Sequence, residues 1–162
     1  MDINAITYTP IGIVHSPFKA PKGVPIQPSA AKDIQGKVEI YPEFVGGLKD
    51  LDGFSHIVLL CHFHLTTGYS LEVVPYMDDQ PRGVFATRAP SRPNPIGLSV
   101  VRLDSVKGNI LHIRDVDIVD GTPVLDIKPY VTAFVPGETE RIGWLESRVK
   151  KLDKTKDDGR FI

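Results

Sequence analysis

GFSHIVLLCHFHL, residues 53–65, alternates so strictly that the pattern alone decides its secondary structure. Ile57, Leu59, Cys61, Phe63 and Leu65 make one wholly apolar face, while His56, Val58, Leu60, His62 and His64 make the other. That is the period of a half-buried strand. Residues 56–64 are its expected extent. Further short runs enriched in Val and Ile occur at residues 11–15, 37–41, 83–86, 98–106, 110–116 and 124–130. The 14 glycines and 14 prolines are spread between them, which favours strands joined by turns over long helices. The fold class is therefore mainly β. So many short strands in one small chain must hide their edges, and closing into a small β-barrel does so most completely, with a sandwich as the alternative.

Two segments read as helical. PEFVGGL, residues 42–48, forms a turn or two opened by Pro42. In RIGWLESRVKKLDK, residues 141–154, Ile142, Leu145, Val149 and Leu152 recur at helical spacing while Arg148, Lys150 and Lys151 point elsewhere. This predicts a barrel unit over residues 1–140, with a C-terminal helix and tail, residues 141–162, docked on it. The chain carries 19 Lys/Arg and 20 Asp/Glu, so net charge gives no general attraction to nucleic acid. Residues 141–162 hold seven of those bases against four acids, a modest positive excess. A single cysteine, Cys61, excludes an intramolecular disulfide framework and fits a cytoplasmic setting. No run approaches the roughly 20 apolar residues a bilayer requires, so no membrane partner is expected.

Three stretches carry chemistry. ATRAPSRPNPIGLSV, residues 86–100, is stiffened by Pro90, Pro93 and Pro95, which fix φ and remove amide donors. Its carbonyls are then free to accept, Arg88 and Arg92 supply positive forks, and Asn94 both donates and accepts. The loop reads either as a seat for a polar, partly anionic small molecule or as a rigid strand connection. VDGTPVLDIKPY, residues 119–130, turns at Asp120 and Gly121 and then alternates, putting Val124, Asp126, Lys128 and Tyr130 on one face. A solvated strand face explains that equally well. The histidines of residues 53–65 raise the question of metal, but alternate strand residues stand roughly 6.5 to 7 Å apart, so His56 cannot join His62 and His64. No metal is expected. The chain also lacks a G-x-G dinucleotide fingerprint, a phosphate-binding G-x-x-x-x-G-K-[ST] loop and a G-x-S-x-G elbow.

GFSHIVLLCHFH, GVFATRAPSRPNPIGLSVVRL and VDIVDGTPVLDIKPY, together with IGIVHSPFK and VPIQP, resemble the TsaA/TrmO family over roughly residues 11–130. Its best-known members methylate tRNA with S-adenosylmethionine. The resemblance implies a small TsaA-like β-barrel and a homodimer with cofactor near the subunit boundary. It also implies cofactor contacts at Pro25, Ile26, Gln27, His64, Leu65, Arg88, Leu98 and the turn Asp120, Gly121, Thr122 and Pro123. The implied reaction is methyl transfer to the exocyclic nitrogen of threonylcarbamoyl-adenosine beside the tRNA anticodon. Asp126, Tyr130 and His64 are the candidates to orient that nitrogen and take its proton. Arg92, Asn94 and Lys128 are the candidates for substrate contact. Better-known bacterial members carry a further C-terminal domain, and they tend to have a polar residue where this chain has Leu65. The basic segment with Arg148, Lys150 and Lys151 is expected to supply some of the tRNA contact. Two other readings keep the cofactor, a sensor that binds it without using it and a methylase of a small metabolite; a ligand-free scaffold is the third.

Overall fold

The alternation of residues 53–65 is realised as a strand whose inward side chains, Ile57, Leu59 and Cys61, are buried. The computed structural model describes residues 5–139 and 141–162. It contains strands β1 (Gly12–His15), β2 (Gln35–Ile40), β3 (His56–His62), β4 (Glu72–Val73), β5 (Arg82–Gly83), β6 (Ile96–Lys107), β7 (Ile110–Arg114) and β8 (Pro123–Pro129). Six of them close into an antiparallel barrel in the order β1-β2-β7-β6-β3-β8, with β8 pairing back to β1. The barrel expected from the need to hide edges is the fold.

Inside it, Val14, Val38, Ile57, Leu59, Val101 and Leu111 are wholly buried. Each contributes about 1.5–3 kcal/mol by leaving water, and together they make one continuous core. β4 and β5 form a separate two-stranded ribbon outside the barrel. The strand expected at residues 83–86 is therefore only the Arg82–Gly83 pairing, after which Val84–Ala86 turns as a 3-10 helix.

The alternation expected along residues 124–130 does not hold. Leu60 lies opposite Asp126, but Cys61 lies opposite Val124, so Leu125 is an extra residue in β8. Such a bulge resets the faces. Val124 is buried in the core and Ile127 packs against it, so Val124 and Asp126 do not share a face.

No α-helix forms among the described residues. Residues 42–48 make a 3-10 helix, Pro42–Leu48, close to the short helix expected there. Residues 141–154 depart further, forming two 3-10 turns, Gly143–Leu145 and Val149–Lys154, instead of one α-helix. Gly143 sits at φ 59, which interrupts a right-handed helical path at its start. Side chain bonds then hold the segment down. The Trp144 indole N–H donates to the Ala86 carbonyl at 2.8 Å, and Arg148 Nη1 lies 2.9 Å from Asp78 Oδ1. Burial opposes charge on Asp78, yet Arg82, the amides of Asp79 and Gln80, and Arg148 hold its carboxyl at about 2. The domain boundary expected at residue 140 lies outside the described residues.

The tail also folds back. Asp157 exchanges backbone hydrogen bonds with Gly23 and Val24, and Phe161 packs against the small cluster of Val73, Val84 and Ala89. The long loop before β2 is thus an ordered connection, pinned on one side by the tail and on the other by Asp120, whose amide donates to the Phe18 carbonyl.

Candidate active site

The inward residues of a closed barrel are consumed by the core except at its ends, and one end here opens into a cavity of about 550 Å³. The end of β3, the start of β6, the proline loop before it, the loop after β7, residues 21–27 and the tail all contribute lining. On its floor, Cys61, Gly97 and Ser99 are barrel residues that face inward. The Phe63 ring lies over Gly97, close enough that a Cβ added there would stand 2.5 Å from the ring's Cζ. Only glycine leaves room for that ring.

Asp117 is the charged feature that sequence reasoning missed. It follows Asp115, which takes a left-handed φ of 64° as the chain leaves β7, and this turn aims Asp117 into the cavity. Ser99 Oγ donates to Asp117 Oδ1 at 2.7 Å. Burial pushes the carboxyl up to about 6, partly offset by the Ser99 hydrogen bond, its own amide and the nearby Arg88 guanidinium. It lies just past the strand expected at residues 110–116, between buried Val116 and Ile118, so no alternation in the sequence singled it out. Burial, and then Asp117, raise the Cys61 thiol to about 12, so Cys61 is an inert core thiol.

Arg88 Nη1 donates to Gln27 Oε1 at 2.8 Å, joining two expected cofactor residues across the cavity wall. Pro25, Ile26, His64, Leu65, Leu98 and Thr122 also line it. Arg92 and Asn94 line it too, but Arg92 is already engaged, donating to the carbonyls of Thr87 at 3.1 Å and Ala89 at 3.3 Å. The expectation of a loop with free carbonyls is corrected accordingly: those of Ala86, Asn94 and Pro95 also accept bonds, from Trp144, Ile96 and Phe63. The prolines rigidify the loop, and donors from Arg92 and Ile96 within it and from Phe63 and Trp144 outside it take up its carbonyls.

The remaining expected residues lie elsewhere. Asp126, turned off the inner face by the bulge, pairs with Lys128 at 2.7 Å, and neither lines the cavity. Tyr130 packs edge-on to His56, ring centroids 6.4 Å apart. Of the three candidates for taking a proton, only His64 lines the cavity. Partial burial and the neighbouring His62 lower its pKa, which keeps its imidazole neutral and able to accept. The Asp120 carboxylate turns away, accepting from the Ser16 amide at 2.9 Å and from Lys19 Nζ at 2.7 Å. Gly121 and Pro123 are not lining residues, although Gly121 approaches the His64 ring. Among the described residues no three His, Cys, Asp or Glu side chains converge as metal ligands, and no helix is long and apolar enough to cross a membrane.

The cavity suits a zwitterionic nucleoside. Its walls are largely apolar, and the Arg88 guanidinium stands close enough to the Asp117 carboxyl to favour its ionised form. That is the pairing an amino acid end requires.

Comparison with known proteins agrees in fold and in sequence. A probable S-adenosyl-L-methionine-binding protein of Pyrococcus abyssi is 67% identical over 97% of this chain and 85% of its own length. The mouse tRNA (adenine(37)-N6)-methyltransferase is 39% identical over 77% of this chain, which spans only 31% of that protein. A crystal structure of TrmO from Pseudomonas aeruginosa superposes with a TM-score of 0.72 at 39% identity, covering 86% of this chain and 62% of that one. Residues 13–134 match the model of the tRNA-methyltransferase O N-terminal domain, and with the barrel and the cavity at its end this chain belongs to that family.

Proposed function

We propose that this chain is an S-adenosylmethionine-dependent methyltransferase whose acceptor is the exocyclic nitrogen of the adenine beside a tRNA anticodon, in its threonylcarbamoyl form. The observation that carries the reading is the Arg88 and Asp117 pair inside an apolar cavity of nucleoside size. Bound S-adenosylmethionine supplies a methyl group already activated by a positive sulfur. The protein's task is then positioning and proton management, not covalent catalysis.

Arg88, steadied by Gln27, meets the carboxylate of the cofactor's amino acid end, and Asp117, steadied by Ser99, meets its ammonium. Pro25, Ile26, Leu65, Leu98 and Thr122 supply wall and backbone groups for the rest. His64 takes the proton that the acceptor nitrogen releases as it gains its methyl group, since its neutral ring is at the cavity rim. Asn94 orients the acceptor edge, and Arg92 keeps the loop in shape.

The expected result is methylated adenosine, detected by mass spectrometry, when tRNA from a strain lacking the gene is incubated with protein and cofactor. Arg88→Ala abolishes that product and weakens cofactor binding about ten-fold or more in calorimetry, as loss of a charge-assisted bond does. Cofactor binding with no methylated tRNA would leave a sensor or a small-metabolite methylase.

We also propose a homodimer in the cytoplasm. Leu65, Ile96 and Leu98 are exposed apolar side chains on the cavity rim, the surface a second copy would cover. Light scattering should give twice the 17.9 kDa chain mass, and Leu98→Glu should return it to one.

A further inference from the structure

Beside the main cavity lies a second hollow of about 570 Å³, roofed by residues 144–152 and floored by residues 75–89. The two hollows share Gln27, Tyr76, Phe85 and Arg88 as a common wall. The roof falls outside the family match, which ends at residue 134, so it is an addition to the shared barrel domain.

Three observations bear on what the second hollow takes. Its walls are largely apolar, with Trp144, Leu145 and Leu152 lining it from the roof and Phe85 and Met77 from the floor. The Trp144 indole is fixed by its bond to Ala86 and by the Arg82 guanidinium 5.7 Å from its ring centre, while Phe85 is 76% exposed. Secondly, the Tyr76 hydroxyl is shut off from water without a hydrogen bond of acceptable geometry, the only such side chain atom among the described residues. Burial first, and then the neighbouring Asp157 carboxylate, push that phenol up, so it stays protonated, a donor whose one acceptor at hand, Asp157, is poorly aligned. Thirdly, the outer side of the roof carries Lys150, Lys151 and Lys154, all exposed and in no ion pair among the described residues.

We propose that this second hollow receives the acceptor base of an RNA strand, stacked against Trp144 and Phe85 with its polar edge towards Tyr76, while the lysines of the roof hold the flanking phosphates. The inference deepens the reading of the chain as an RNA methyltransferase and rests on it for the identity of the acceptor. The shared wall of Gln27, Phe85 and Arg88 would bring the base to the cofactor cavity. Aromatic stacking tolerates any base, so choice of adenine falls to the polar edge.

Trp144 is the chain's single tryptophan, which makes its emission a direct reporter. A short anticodon stem-loop RNA with adenosine 3′ of the anticodon, added without cofactor, should quench it. The same RNA with an abasic site at that position should not. Trp144→Leu should weaken the RNA about ten-fold, the loss of one base stack, while S-adenosylhomocysteine affinity stays within about two-fold. Leu152→Phe, which fills the hollow from another point of the roof, should give the same split in case the first variant folds poorly. Equal quenching by the abasic RNA, or parallel loss of RNA and S-adenosylhomocysteine, or loss of neither, overturns the proposal. If the parent chain fails to bind S-adenosylhomocysteine but its tryptophan still responds to the base, the cofactor reading falls and the hollow stands.

Discussion

Asp117→Asn should melt no lower than the parent at pH 8 and yet bind S-adenosylmethionine about ten- to a hundred-fold more weakly, the range for losing a charged partner in a half-buried site. The two effects have opposite signs because one group causes both. Burial raises the folded pKa of Asp117 from an ordinary 3.8 to about 6, so the folded state prefers the neutral acid. Its contribution to stability is fully present below pH 4 and is lost as pH rises to about 6, where the ionised form has to be carried inside the cavity. Asparagine keeps the oxygen that accepts from Ser99 and removes the charge, so that loss disappears. Binding runs the other way. An ammonium beside Asp117 favours the carboxylate, so cofactor affinity in the parent should rise between about pH 5 and 7 and then level, while in the variant it should be flat over that window. S-adenosylhomocysteine has the same amino acid end and should lose the same factor. A loss confined to S-adenosylmethionine would instead put Asp117 beside the sulfonium, and unchanged affinity for both would remove it from the site. The arrangement is the familiar exchange of stability for a charged, pre-formed site.

That acid was invisible in the sequence for the same reason the barrel was visible. Alternation reports facing only while the strand continues without interruption. Val14, Val38, Leu59 and Val101 lie in unbroken stretches, and each points to the core as its pattern requires. Asp117 lies just past the strand expected at residues 110–116, beyond a left-handed turn, and Asp126 comes one residue after a bulge, so the pattern gave the first no facing and grouped the second with buried Val124. A similar failure of period explains residues 141–154. Apolar residues three and four apart fit an α-helix, but they also fit consecutive 3-10 turns, and the left-handed Gly143 together with the bonds from Trp144 to Ala86 and from Arg148 to Asp78 favours the second. The proline loop was legible as rigid. Its internal accounting was not, because which carbonyl Arg92 reaches depends on a fold-back that φ restriction alone does not specify. The tail gave no signal at all, since Phe161 and Asp157 act through partners far upstream, Val73, Val84 and Ala89 for the first and Gly23 and Val24 for the second.

Gly97→Ala should cost about 1–3 kcal/mol of folding stability, the usual range for overpacking, and should weaken the cofactor about ten-fold although no polar contact is removed. Gly97 lies in β6 opposite Cys61, and the space a methyl group needs is filled by the Phe63 ring, 2.5 Å from Cζ and 2.7 Å from Cε1. The obstacle is a ring near the end of β3, so the strand does not have to break. The ring must swing instead, and Phe63 is followed directly by His64 and Leu65, both on the cavity wall. Its amide donates to the Pro95 carbonyl at 2.8 Å, so motion of Phe63 is passed to the proline loop as well. The cost is therefore shared between fold and site, and a second substitution separates them. Phe63→Leu alone leaves a void and should destabilise by about 1–3 kcal/mol, as large-to-small changes do, but in the Gly97→Ala background it makes room for the methyl group. The double variant should be more stable than the sum of the singles predicts by about 1 kcal/mol or more in urea unfolding at constant m, with part of the cofactor affinity restored. Strict additivity would show that the ring is not what Gly97 accommodates. Recovery of stability without recovery of affinity would show that the cavity wall is set by the Pro95 bond and not by the ring.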